Sequence, residues 1–170
     1  MGVARVYSVG HKISHPMLVE IAVFYTVAAA VLCWSAGEAC RSRVLWSVGA
    51  LLALFHSVAA FVVVYGGSHD TARFETTRQT AALTGVEFSG GIYVNYLFLI
   101  VWLGDAAWWW LAPRSYRGRP RVLELAIRGF IFFIIVNGAV IFADGWARIV
   151  GLVALAVATV GTWLRHTHFR

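Results

Sequence analysis

Polar side chains interrupt several long apolar runs of the sequence, and these are the residues best placed to do chemistry. They are His56, Asn95, Tyr96, Asp105 and Asn137. Placing an ionisable group inside a bilayer costs from a few to more than about ten kcal/mol, so each such group is a functional hypothesis by default. These residues therefore indicate where a binding or catalytic site would lie.

A second group of potential ligands lies in the hydrophilic segment 67–90. His69, Asp70 and Glu87 supply imidazole and carboxylate donors, which suit zinc, iron or copper. Their spacing matches no ligand motif, so a transition-metal site requires that folding bring them together. A haem held by two histidines is disfavoured, because His56 is the only histidine inside an apolar run.

Other chemistries find little support in the sequence. It contains no G-x-S-x-G elbow, no P-loop, no H-E-x-x-H motif and no G-x-G-x-x-G motif. A retinal Schiff base would need a lysine within an apolar run, and Lys12 is the only lysine. We interpret Cys33 and Cys40 as small buried hydrophobes rather than as a thiol metal pair.

The composition is that of an integral membrane protein. The chain has 170 residues, of which 60% are hydrophobic and 13% charged. A soluble domain is typically about half apolar and about a quarter charged. The net charge of +6 comes from basic residues between the apolar runs, where they set topology and contact anionic headgroups rather than nucleic acid. One membrane domain, 1–170, is expected.

The apolar runs predict an all-α bundle, because backbone groups in lipid must be paired within their own segment. About five runs are long enough to span the bilayer. They are 17–36, 44–66, 91–112, 125–145 and 147–165, with an outer loop at 67–90. The arginine-rich segment 114–121 is predicted to be a solvated cytoplasmic link, which places the N-terminus outside and the C-terminus in the cytoplasm. Within the outer loop, Ser68 or Asp70 is expected to cap a helix that ends at Gly85.

Residue depth predicts how the polar groups are arranged. At about 1.5 Å per residue, His56 and Asn137 each lie about 18 Å from the cytoplasmic end of their spans, and Asp105 about 10 Å. His56 and Asn137 are thus predicted to form the floor of a pocket that opens outward. Its walls are predicted to include Glu20, Asn95, Tyr96 and Asp144. In a purely structural alternative, Asp105 would instead be satisfied by Arg128 or by a tryptophan N–H.

Three functions follow from these features. The favoured one is a small multi-pass membrane protein whose pocket binds a metal ion or a small polar solute for redox work or transport. The alternative is an accessory or scaffold subunit of a larger membrane complex or homo-oligomer, in which polar groups satisfy one another or a partner chain. The third is a membrane enzyme acting on lipid or quinone through His56 and Asp105, although their predicted depths differ by about 8 Å.

Overall fold

The computed structural model describes residues 16–141 and 145–168, with side chains described between residues 25 and 160 apart from 142–144 and Ala147. Within this part of the chain every regular element is a helix. The predicted all-α fold class is therefore confirmed. The helices are α1 (Pro16–Cys40), α2 (Arg43–Ala59, continuing as the π-helix Ala60–Val64), α3 (His69–Thr84), α4 (Gly91–Leu111), α5 (Pro113–Arg117), α6 (Arg121–Val136, continuing as the π-helix Asn137–Ile141) and α7 (Gly145–His168).

Among the described residues, three helices are long and apolar enough to cross a membrane. They are Arg43–Val64, Gly91–Leu111 and Arg121–Ile141, with mean hydropathies of 2.2, 1.3 and 1.9. They coincide with three of the predicted spans. The two other predicted spans fall within α1 and α7, which are 25 and 24 residues long.

The turn between α1 and α2 fixes these helices as a tight antiparallel pair. Arg41 adopts a left-handed conformation with φ +50°, and the N–H of Ser42 donates to the carbonyl of Gly37 at 3.1 Å. This is the pattern of a Schellman C-cap. The Ser42 hydroxyl also caps α2 by accepting from the N–H of Leu45 at 3.4 Å. One short turn therefore ends α1 and begins α2.

Two tryptophans fill the space between α2 and α4. The rings of Trp46 and Trp102 meet edge to face at 5.6 Å, and these residues are 2% and 1% exposed. Gly49 makes room for them, because a Cβ at this position would lie 2.9 Å from the Trp102 ring and 3.2 Å from the carbonyl oxygen of Ala30. The core therefore depends on large aromatic rings placed against small residues.

The predicted outer-loop helix is confirmed as α3. The Ser68 hydroxyl accepts from the N–H of Thr71 at 3.2 Å, and Gly85 ends the helix with φ +73°. Ala72 is 1% exposed, and a Cβ on Gly91, the first residue of α4, would touch the Thr76 methyl group. Helix α3 thus covers one end of the bundle, the α3 end, while α5 lies at the opposite end, the α5 end.

We expect Gly49→Ala to destabilise the protein relative to Gly104→Ala. Both substitutions add one methyl group within a helix, and helix propensity alone would make each variant about 0.5–1 kcal/mol more stable. Gly104 has open space around its Cβ position, whereas Gly49 faces Trp102 and the Ala30 carbonyl. Overpacking of this kind costs about 1–3 kcal/mol. Thermal unfolding in detergent measures the difference, and equal melting temperatures for the two variants would contradict this account of the core.

Candidate functional site: an uncharged cavity beneath α3

A cavity of about 430 Å³ lies between the helices beneath α3. Residues of α1, α2, α3, α4 and α6 line it. Its volume falls in the range of about 300–1,000 Å³ that is typical of small-molecule sites. Close-packed protein interiors contain few voids larger than a water molecule. This cavity is therefore the main candidate for a binding site in the described part of the chain.

The deeper part of the cavity is apolar. Its walls include Ala30, Val31, Ala53, Leu99, Trp102 and Ile135. Several of these residues also belong to the buried core, so the wall is rigidly packed from behind. Trp102 contacts Phe98 within the lining at 5.5 Å between ring centroids. An apolar group would be well accommodated at this depth.

Uncharged polar side chains line the cavity from the middle of the bundle towards α3. They are His56, Ser57, Tyr65, Thr76, Asn95 and Tyr96. None of the described lining residues is Asp, Glu, Lys or Arg. Hydroxyl, amide and imidazole groups both donate and accept hydrogen bonds. The cavity can therefore recognise polar groups at its α3 end, and its described lining carries no carboxylate, ammonium or guanidinium group.

Both π-helical segments border the cavity. Ala60 and Phe61 contribute to the lining from the π segment that ends α2, and Gly138 and Ala139 from the one that ends α6. In the first segment the N–H of Tyr65 donates to the carbonyl of Ala60 at 3.2 Å. π-Helical turns inside α-helices are frequent at functional sites. Their position at the same cavity supports its assignment as the site.

An aromatic cluster joins α3 to the cavity wall. Nδ1 of His69 lies 3.1 Å from the Tyr96 hydroxyl, and the two rings stack with centroids 6.0 Å apart. The Tyr93 ring lies 5.8 Å from that of His69. Because Tyr96 also lines the cavity, these contacts connect the covering helix directly to the site.

The structure brings together some of the residues predicted to form the pocket. His56, Asn95 and Tyr96 all line the cavity. Asn137 contributes differently: its amide donates to the carbonyl of Phe133 at 2.7 Å, and the two residues after it line the cavity. Glu20 lies in α1 before the first described side chain, and Asp144 lies outside the described residues.

The predicted metal ligands are distributed along α3. His69 and Asp70 begin this helix and Glu87 follows its end, and a 16-residue helix is about 24 Å long. Among the described residues, no group of three or more His, Cys, Asp or Glu side chains is close enough to hold a metal ion. Asp70 and Glu87 are both exposed.

A second polar centre lies at the α5 end around Asp105, which the sequence analysis named, with Arg119 and Tyr116 as partners that it missed. Nη1 of Arg119 lies 2.8 Å from Oδ1 of Asp105, and these side chains are 3% and 1% exposed. The Tyr116 hydroxyl donates to Oδ2 of Asp105 at 3.0 Å. The prediction that the arginine-rich segment is a solvated link is therefore wrong for Arg119. Burial of Asp105 within a span required a cationic partner, and one of the nearby arginines had to fold back to supply it.

Aromatic rings enclose this ion pair. The Arg119 guanidinium lies 3.8 Å from the centre of the Tyr116 ring, on which Trp109 stacks at 4.7 Å with an interplanar angle of 9°. Burial, together with the adjacent Asp105 carboxylate, raises the pKa of Tyr116 to about 12. The Tyr116 hydroxyl therefore remains a protonated donor at physiological pH.

Arg128 has partners other than Asp105. Its Nη1 lies 2.6 Å from the Glu38 carboxylate and its Nε lies 3.2 Å from Glu124. Asp105 does not line the cavity that His56 lines. The structure thus gives no support to a joint acid–base role of His56 and Asp105, and the ion pairs account for the burial of Asp105.

Comparisons of the chain with protein-family models, with curated proteins and with solved structures give no match. Function is therefore argued from the geometry of the cavity and of the ion-pair network alone.

We expect Arg119→Met to destabilise the protein by about 3–5 kcal/mol, because it leaves a buried carboxylate without its cation. The double variant Asp105→Asn/Arg119→Met should lose clearly less free energy of unfolding than the two single variants lose together, because both substitutions remove the same interaction. Arg114→Met is the matched control, since Arg114 is exposed on the same segment, and surface changes usually stay within about 0.5 kcal/mol. Additive losses in denaturant unfolding would contradict the pairing.

Proposed function

We propose that the protein is a small multi-pass membrane protein whose cavity beneath α3 binds a small organic molecule for transport or redox work. The observation that supports this most directly is the cavity of about 430 Å³ with polar side chains from α2, α3 and α4 in its lining. Ligand pockets typically combine apolar walls with a few placed polar groups, and they often lie between the helices of bundles.

An organic ligand is better supported than the metal ion that the sequence also allowed. Metal ions with one or two protein ligands are weakly held, and transition-metal sites usually combine several imidazole, thiolate or carboxylate groups. The described lining offers a single imidazole, that of His56, and no carboxylate or thiolate. Its hydroxyl and amide groups suit hydrogen bonding to a neutral solute instead.

For the membrane arrangement we propose five spans, with α1 and α7 crossing beside the three helices already assigned. Both pack into the bundle, and the Ser35 hydroxyl of α1 donates to the carbonyl of Ala154 in α7 at 2.7 Å. Exposed arginines gather at the α5 end, including Arg41, Arg43, Arg114, Arg117 and Arg121. Such short basic links are typical of the cytoplasmic side. The α3 end and the cavity beneath it would then face outward.

An accessory-subunit role is the second candidate, and apolar side chains at the α3 end favour it. Phe74 on α3 is 67% exposed, and Leu83, Val86 and Phe88 are 52%, 62% and 51% exposed. These residues lie outside the three membrane-crossing helices. Exposed apolar patches mark protein or membrane contacts. Loss of a stoichiometric co-purifying chain in Phe74→Ser, with the cavity variants unaffected, would favour this function over ligand binding.

We expect protein purified in mild detergent to retain a stoichiometric small molecule that solvent extraction and mass spectrometry detect. Ala60→Phe should abolish this retention, because Ala60 lines the cavity and a phenyl ring would occupy its space. Ala107→Phe is the matched control, since Ala107 is exposed on α4 and outside the lining. Equal recovery of the molecule from both variants, or none from the native protein, would count against the proposal.

His56→Ala tests the polar part of the site separately. Loss of one hydrogen bond is expected to weaken retention by roughly tenfold or less, with the melting temperature of the protein almost unchanged. His56→Gln should preserve part of the binding because glutamine keeps a donor and an acceptor. A large loss of thermal stability in His56→Ala would instead assign His56 a structural role.

The orientation is tested by cysteine labelling in a background that carries Cys33→Ala and Cys40→Ala. We expect a membrane-impermeant maleimide to label Glu87→Cys on intact cells, because this exposed residue follows α3 on the outer side. Arg114→Cys, in the arginine-rich link, should react only after the membrane is permeabilised. The reverse labelling pattern would show that the chain is inserted the other way round.

A further inference from the structure

We propose that the ligand is an uncharged amphipathic molecule, with an apolar body and one polar end group, that reaches the cavity from within the bilayer. This inference rests on the proposed function, because it names the ligand class of the same cavity. Three observations support it: the lining is uncharged, its polar and apolar groups lie at different depths, and its exposed residues lie on two neighbouring helices.

The lining excludes charged ligands. Its described residues include no acidic or basic side chain apart from His56. Among the described residues, the buried and partly buried ion pairs lie at the other end of the bundle, where Asp105, Glu38 and Glu124 hold Arg119 and Arg128. The pair between Glu75 and Arg78 lies on the exposed face of α3 and outside the lining. A charge moved into an apolar interior without a partner is very unfavourable. A neutral ligand avoids this penalty.

The order of apolar and polar side chains along the cavity sets the orientation of the bound ligand. Trp102 and Ile135 belong to the buried core and form apolar wall at the deeper part. Asn95 and Tyr96 lie nearly two turns earlier on α4, towards α3. The apolar body of the ligand is therefore directed towards the core, and its polar group lies at the level of Asn95 and Tyr96.

Helix α3 covers the cavity at the α3 end. Ala72 of α3 is 1% exposed and lines the cavity, and His69 bonds to Tyr96 at the edge of the cover. The exposed residues of the described lining are Asn95 and Tyr96 on α4 and Gly138 in the π segment of α6. A lipid-soluble molecule would therefore enter the cavity between α4 and α6.

The ligand class is tested with two brominated probes in phosphatidylcholine nanodiscs. One is ω-bromodecanol, and the other is ω-bromodecane sulfonate, which has the same chain and a fixed negative charge. Bromine quenches nearby tryptophans, so the apolar end of a bound probe quenches Trp102. We expect the alcohol to give a saturable quenching component that Trp102→Phe and Ala60→Phe both remove. The sulfonate should bind at least about tenfold more weakly, because its charge would be buried without a partner.

The outcomes separate the ligand class from the proposed function. Equal or tighter binding of the sulfonate overturns the uncharged class while leaving ligand binding in place. No saturable quenching by either probe, together with a co-purifying molecule that Ala60→Phe removes, overturns the amphipathic class alone. No saturable quenching and no co-purifying molecule overturn both the ligand class and the proposed function.

Access from the bilayer is tested by the rate of quenching after rapid mixing. Gly138→Phe should slow the association of ω-bromodecanol several-fold, because it places a ring at the exposed edge of the cavity in space that is otherwise open. Gly129→Phe is the matched control, since Gly129 also has open space around its Cβ position but lies outside the lining. Equal association rates for the two variants would overturn this access route.

Discussion

The buried ion pair between Asp105 and Arg119 is the contact on which the arrangement at the α5 end depends. A carboxylate removed from water is stable only when it is paired and hydrogen-bonded. Asp105 obtains both partners from the chain just beyond its own helix. The chain must therefore fold back beneath the bundle at α5 before α6 begins. The position of this turn determines where α6 begins, and it thereby places Arg128 of α6 beside Glu38 of α1.

Because the buried ion pairs lie at the α5 end, the packing of the other half of the bundle depends mainly on the size of its side chains. Trp102 fills the space between α2 and α4 because Gly49 leaves room for its ring. Towards α3 the helices carry small residues on the facing surfaces, such as Ala53, Ala60 and Gly138, and these do not fill the space between the backbones. The change from Trp46 to Ala53 and Ala60 along α2, together with Gly138 on α6, thus leaves the space that forms the cavity.

The sequence was sufficient for the long apolar helices and for α3, but not for α5 or for the lateral contacts between helices. Apolar runs predict the three helices that are long and apolar enough to cross a membrane. The capping residues Ser68 and Gly85 predict α3 closely, because both signals act locally. The burial of Arg119 was not predicted, since the same segment also carries three exposed arginines and nothing local distinguishes Arg119 from them. The π segments were missed for a similar reason: no residue type specifies them, and packing against neighbouring helices selects them.

Helix α7 supports the cavity wall from behind, although it contributes nothing to the described lining. A Cβ on Gly151 would collide with the Ala139 carbonyl, so this glycine lets α7 lie directly against the π segment of α6. The Arg148 side chain donates to the carbonyl of Val140 in that segment at 3.0 Å. This hydrogen bond satisfies one of the carbonyl groups at the end of the helix that have no partner within it. The close approach of Gly151 and the hydrogen bond from Arg148 together fix the π segment of α6, which contains Gly138 and forms one wall of the cavity. A cavity built in this way is preformed, which is the condition under which a few uncharged hydrogen-bonding groups could confer the selectivity that the proposed function requires.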